Sequence, residues 1–135
     1  MNNNDCIFCK IIKKEIPCPI VYEDDKVLAF LDINPVNKGH TLVIPKIHYE
    51  NIYETPDEIL GCMIITAKKI AIKLKKFIGA EGININMNND AVSGQVIFHA
   101  HIHIIPRITN DGFTHWKGSP YKKGEAEEIL QKIKS

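Results

Sequence analysis

The sequence predicts an α+β fold, an antiparallel sheet of about five strands with one long helix packed on it. Three observations carry this. Two stretches alternate strictly: Ile83, Ile85 and Met87 with Asn84, Asn86 and Asn88, then Phe98, Ala100, Ile102 and Ile104 with His99, His101 and His103. That is the period of a strand. A third stretch, 60–78, repeats its apolar residues at the 3, 4 spacing of a helix. No βαβ unit recurs along the chain, which points to an antiparallel rather than a wound parallel sheet.

Residues 6–14 suit a short helix, closed before Pro17 and Pro19. Residues 20–23 and 26–31 read as strands of a hairpin around Asp24-Asp25. Asn34-Pro35-Val36-Asn37-Lys38-Gly39 is a turn-rich loop, and 41–44 is a short strand ended by Pro45. Thr55-Pro56-Asp57-Glu58 predicts a helix start, with Thr55 as N-cap, Pro56 at the first helical position and Glu58 closing a capping box. The expected buried stripe is Leu60, Met63, Ile64, Ala67, Ile70, Ala71, Leu74, Phe77 and Ile78. Lys68, Lys69, Lys73, Lys75 and Lys76 lie mostly off it and form a solvated face, and Gly79 supplies the stop. Cys62, beside Met63, reads as core. The strands 83–88 and 98–104 flank the turn 89–94 and form an antiparallel pair. Beyond 107 the chain is irregular until Gly124, after which 125–133 predicts a short helix. The long helix covers one face of the sheet. The other face is polar and must meet solvent, a ligand or a partner.

A chain of 135 residues makes one domain, 1–135, with a core at about 6–107 and a tail over 108–135. Apolar residues at 44% and charged residues at 24% are ordinary for a globular protein and exclude disorder for the bulk of the chain. The 17 Lys and Arg against 16 Asp and Glu leave a net charge of +1. That balance argues against a dedicated nucleic-acid binder, while leaving room for a small phosphate-bearing ligand. No apolar run approaches the ~18–20 residues of a membrane span. Met1-Asn2-Asn3-Asn4-Asp5 lacks the basic start and apolar stretch of a secretory signal. The expected location is cytoplasmic. There Cys6, Cys9, Cys18 and Cys62 are metal ligands or buried thiols rather than disulfides.

His99-Ala100-His101-Ile102-His103-Ile104-Ile105 is the most informative segment. Three imidazoles project from one face of a strand, ~6.6–7 Å apart in succession. Imidazole serves as base, acid, nucleophile or metal ligand near neutrality. A metal site built from all three is one reading, but adjacent rings on a strand rarely converge on one ion. Nucleophilic catalysis fits better: a central histidine attacks phosphorus, and its neighbours hold its tautomer and meet the developing charge. Cys6-Ile7-Phe8-Cys9 is a C-x-x-C pair without a preceding strand, which speaks against a thioredoxin-like redox role. A zinc half-site and a pair of buried thiols both remain open.

The pattern His-φ-His-φ-His-φ-φ, with φ apolar, resembles the signature of the histidine triad (HIT) family at every position. Phe30-Leu31-Asp32-Ile33-Asn34-Pro35, Gly39-His40-Thr41-Leu42-Val43-Ile44-Pro45-Lys46, Asn86-Met87-Asn88-Asn89 and Gly94-Gln95 extend the likeness over about 100 residues, from Cys6 to Arg107. Within the family the chain is most similar to the Hint-type branch, in particular its bacterial, zinc-containing members. The resemblance implies a HIT-like fold and hydrolysis at the α-phosphorus of a purine nucleotide phosphoramidate, of AMP or GMP type. It makes His101 the nucleotidylated nucleophile, His103 a phosphate contact and His40 a relay partner. It puts Asp32 on the ribose hydroxyls, Phe30 and Ile33 in the base pocket, and Asn88 and Gln95 on the phosphate or leaving group. It also implies a structural Zn²⁺ held by Cys6, Cys9, His48 and His99, and a homodimer. Open sheet edges and the apolar helix stripe are an independent reason to expect that dimer. Two alternatives to the phosphoramidase are a dinucleoside polyphosphate hydrolase and a zinc-stabilised nucleotide-binding module with a regulatory partner. The chain departs from the family at Val96, where many members carry a hydroxyl residue, at Ile105-Pro106-Arg107, where a glycine pair is usual, and in a longer tail bearing His115-Trp116.

Overall fold

The computed structural model describes residues 3–135. Its elements are α1 (Ile7–Ile12), β1 (Ile20–Glu23), β2 (Val27–Leu31), β3 (Thr41–Pro45), α2 (Asp57–Lys73), β4 (Gly82–Asn86), β5 (Ile102–Arg107) and α3 (Glu125–Lys134). The strands form one five-stranded sheet in the order β1-β2-β3-β5-β4, antiparallel at every pairing. This is the expected α+β architecture.

Two layers cover the sheet. On one side Val27, Ala29, Val43, Ile102 and Ile104 pack against Met63, Ala67, Ile70 and Leu74 of the helix side. On the other, Leu28, Phe30, Leu42 and Ile44 pack against Cys6, Phe8, Cys9 and Ile11 of the N-terminal segment. β2 and β3 are therefore buried on both faces, so they read as apolar runs rather than alternations. The face that the sequence left to solvent, ligand or partner is in large part covered by α1. Each fully buried Met, Leu or Ile side chain here contributes about 1.5–3 kcal/mol of transfer free energy.

Several boundaries differ from expectation. Thr55 does not cap α2: its hydroxyl donates to the Asn51 carbonyl, and no side chain caps the helix. The capping box is not formed. The helix ends in a π turn over Leu74–Ile78 before Gly79 enters the left-handed region at φ 80°, as the stop signal predicts. That wider turn adds a residue, which carries Phe77 and Ile78 off the buried stripe and leaves them exposed. Ile64, in the regular part of α2, is exposed as well. Cys62 is half-buried and packs against the core. β4 stops at Asn86 rather than 88. β5 begins at Ile102 rather than 98, so His99 and His101 precede the paired strand and only His103 lies in it. The register places Ala100 opposite Pro45, which has no N–H to continue the ladder. Ala100 N instead donates to the Tyr49 carbonyl at 2.7 Å. The tail helix forms as expected but has no buried residue. No helix of the described residues is long and apolar enough to cross a membrane.

Candidate functional site

Backbone carbonyls fix the proton on His99 and His101, and His40, itself held by a backbone amide, fixes it on His103. His99 Nε2 lies 2.8 Å from the Pro45 carbonyl, so it donates there and its Nδ1 is bare. His101 Nδ1 donates to the His99 carbonyl at 2.7 Å, which leaves Nε2 bare. His40 Nδ1 accepts from Val36 N at 3.1 Å. The neutral His40 therefore carries its proton on Nε2, 3.0 Å from His103 Nδ1, and donates to it. His103 is left with Nε2–H as a donor. Asp32 Oδ2 sits 3.8 Å from His40 Nε2. Burial holds all four rings neutral: His99 and His103 are each pushed down to about 4, and His40 and His101 are also lowered.

His40 reaches this position because the chain turns at Gly39, whose φ of +97° suits glycine. A Cβ there would meet Leu74 Cδ2 at 2.9 Å, so the turn also needs the missing side chain.

His101 and His103 line a cavity of about 410 Å³. Phe30, Asp32, Ile33, Asn88 and Val96 line it too. Asp32 Oδ1 accepts from Asn34 N at 2.9 Å, leaving Oδ2 toward His40. Ile33 is largely exposed at the rim, while Phe30 is buried. Gln95 does not join them. Its amide donates to the Glu50 and Ile97 carbonyls at 2.6 and 3.1 Å and accepts from Asp90 N at 2.8 Å. Buried and fully bonded, it ties loops together and has no donor left for a phosphate, which corrects the expected role.

Behind the cavity lies a second cluster. The ligand atoms of Cys6, Cys9, His48 and His99 all lie within 4.8 Å of one another. Cys6 Sγ is 3.4 Å from His99 Nδ1, and Cys9 Sγ is 3.4 Å from His48 Nδ1 and 3.6 Å from His99 Nδ1. Tetrahedral zinc sets a sulfur and a nitrogen about 3.5 Å apart, so these four residues fit that ion. His99 presents its bare nitrogen because the other is bound to Pro45, the usual outer-shell arrangement for a ligating histidine. Burial, with Cys6 adjacent, pushes the Cys9 thiol up to about 11. A cation among the four reverses that penalty by stabilising thiolate.

Residues 13–110 match the HIT domain. The chain belongs to the HIT family. It is 52% identical over 129 residues to an uncharacterized HIT-like protein of Methanocaldococcus jannaschii, covering 96% of this chain and 98% of that one. An adenosine 5'-monophosphoramidase of Schizosaccharomyces pombe is 42% identical over 135 residues, with 96% and 98% covered. An adenylylsulfatase of Arabidopsis thaliana is 49% identical over 108 residues, 80% of this chain and 55% of that longer one. Among solved structures, a HIT family protein of Bacillus anthracis superposes with a TM-score of 0.89 at 44% identity, covering 97% and 96%. A zinc-bound histidine triad family protein of Mycobacterium smegmatis gives 0.80 at 33%, covering 97% and 94%.

This HIT domain also builds its cavity from residues that the sequence does not mark. Phe8, Ile11, Ile16 and Cys18 form one wall. Phe8 and Ile11 fall in the expected short helix, and Ile16 and Cys18 follow it around Pro17, with no motif that ties them to a site. Only the short C-x-x-C spacing hints that the N-terminal segment returns to the site.

Proposed function

We propose that this HIT domain hydrolyses purine nucleoside 5'-phosphoramidates at the α-phosphorus through a nucleotidyl-His101 intermediate. The observation that carries the reading is the bare Nε2 of His101, held in a cavity with Asp32 and an apolar wall. Nε2 attacks phosphorus and the P–N bond to the leaving amine breaks, the amine taking a proton from water. As Nε2 gains its bond the ring becomes cationic, and the His99 carbonyl on Nδ1–H stabilises that charge. His103 Nε2–H donates to a non-bridging phosphoryl oxygen, in the tautomer that His40 imposes. Water then cleaves the P–N bond to His101, releasing the nucleoside monophosphate and the free imidazole. Asp32 Oδ2 accepts from a ribose hydroxyl, Phe30 and Ile33 flank the base, and Asn88 donates near the leaving group. The fungal and plant relatives, named for an adenosine monophosphoramidate and an adenylyl sulfate, support adenylyl chemistry with more than one leaving group.

Cys6, Cys9, His48 and His99 would hold one structural Zn²⁺, since four protein ligands leave no open position. The zinc-bound relative supports this. The chain also pairs as a homodimer through its open sheet edges.

The test is turnover of adenosine and guanosine phosphoramidates, adenylyl sulfate and dinucleoside polyphosphates, with mass spectrometry of acid-quenched protein. The expected result is amine release and a nucleotidyl adduct on His101. Faster turnover of a dinucleotide than of any phosphoramidate would overturn the substrate assignment.

A further inference from the structure

One aromatic ring, that of Phe8, bridges the four-residue cluster and the proposed nucleophile. Phe8 lies between Cys6 and Cys9 in sequence, on α1. Its ring stands edge-on to His101, with centroids 5.2 Å apart and planes at 85°. It stands edge-on to His99 at 5.8 Å and to Phe30 at 5.5 Å. An apolar ring makes no polar bond of its own, so its place is set by where α1 sits.

The cluster sets where α1 sits. Six residues are too few for a helix to hold itself in water. Cys6 Sγ accepts from Cys9 N at 3.4 Å and so caps the helix start. The two sulfurs meet His99 and His48. His99 adds a second link, since its ring faces the cluster while its carbonyl accepts from His101 Nδ1. One hydrogen bond fixes the tautomer of His101 but lets the ring turn about that bond. Fixing the plane needs contacts from the side. His103 gives one at 4.9 Å, and Phe8 gives the other.

We infer that Phe8 is a positioning residue that transmits the state of the Cys6–Cys9–His48–His99 cluster to the His101 ring. With metal in the cluster, α1 holds Phe8 against the imidazole and keeps Nε2 turned into the cavity. Without metal, α1 loosens and the ring loses its fixed plane. Turnover therefore depends on an ion that touches no substrate, a consequence that rests on His101 being the nucleophile proposed above.

The test uses the zinc-loaded full chain with ¹⁵N-labelled histidine rings, read by NMR without nucleotide. Wild type should give a single His101 tautomer, protonated at Nδ1. Phe8→Leu keeps an apolar side chain on the helix. It should keep its metal and a cooperative melt, lowered by the smaller core side chain, yet show broadened His101 signals from a mobile ring with Nδ1 still protonated. Its kcat should fall at least about tenfold, the scale expected for a misplaced reacting group. Phe8→Tyr should restore the wild-type signals. His48→Asn removes the least buried ligand, and it should reproduce the Phe8→Leu spectrum while the α2 amides stay dispersed. Wild-type His101 signals in zinc-loaded Phe8→Leu, or in metal-free protein that keeps its fold, would overturn the link. A wild type that cleaves no phosphoramidate would refute the function, whereas the ring measurement still decides the coupling.

Discussion

An imidazole is nucleophilic only at a nitrogen without a proton, and the backbone chooses that nitrogen at His101. Because the His99 carbonyl takes Nδ1–H, Nε2 is the free one. His101→Ala should lose at least ~10³-fold in kcat, about 4 kcal/mol of barrier, with nucleotide affinity little changed. Phosphoramidate turnover and calorimetric titration check this, and wild-type turnover would remove His101 from the mechanism. The buried histidines also carry a pH dependence. Burial, with His101 and His40 nearby, pushes His103 down to about 4, and burial lowers His40. An unfolded histidine titrates near 6.5. Between these values the unfolded chain binds protons that the folded one refuses. The stability from these rings is therefore whole above about pH 6.5 and drains away as pH falls toward about 4. Lowered carboxylates such as Glu23 and Asp111 add losses only below about pH 4.5, near their unfolded values. Thermal melts should thus show a falling midpoint between pH 6.5 and 4.5, and a flat midpoint there contradicts neutral burial.

At the scale of elements, α1 is the piece that cannot stand alone. Elemental analysis should give one zinc per chain, lost in Cys9→Ser together with part of the melting temperature, because the metal's binding energy is partly folding energy. Metal-free protein of unchanged melting temperature would count against the site. The same element marks what the sequence could and could not disclose. Contiguous motifs were legible: the histidine segment, the C-x-x-C pair, and the long helix up to its Gly79 stop. Contacts between distant segments were not. Thr55 looks like a cap, but the Asn51 carbonyl takes its hydroxyl. The start of β5 depends on Pro45 across the ladder, which no periodicity reveals. Gln95 looks like a free donor until the Glu50 carbonyl, 45 residues away, is placed beside it. Phe8 and Ile11 belong to the core, yet the same side chains line the cavity, which a short helix read from sequence does not disclose.

For the molecule as a whole, β1 and β4 are the two edges of the sheet. Ile85 on β4 and Ile64 and Ile65 on α2 are exposed, Trp116 is almost fully so, and α3 buries nothing. An open edge with apolar neighbours invites a second sheet edge, and a two-fold pairing uses the same patch twice. Light scattering at micromolar concentration should give twice 15.3 kDa, whereas a mass near 15.3 kDa would sink the dimer. The span of the Cys6–Cys9–His48–His99 cluster has a consequence for how the chain is made. Cys6 and His99 are 93 residues apart. A ribosome adding about 5–20 residues per second presents Cys6 and Cys9 roughly 5–20 s before His99 emerges. During that interval the pair is an incomplete chelator on an unfolded leader, open to any soft cation or oxidant nearby. The nascent chain thus exposes the two thiols of the cluster first and His99 only when the sheet is nearly complete. Assembly of this domain is then most vulnerable while it is being translated, before any catalytic group has found its place.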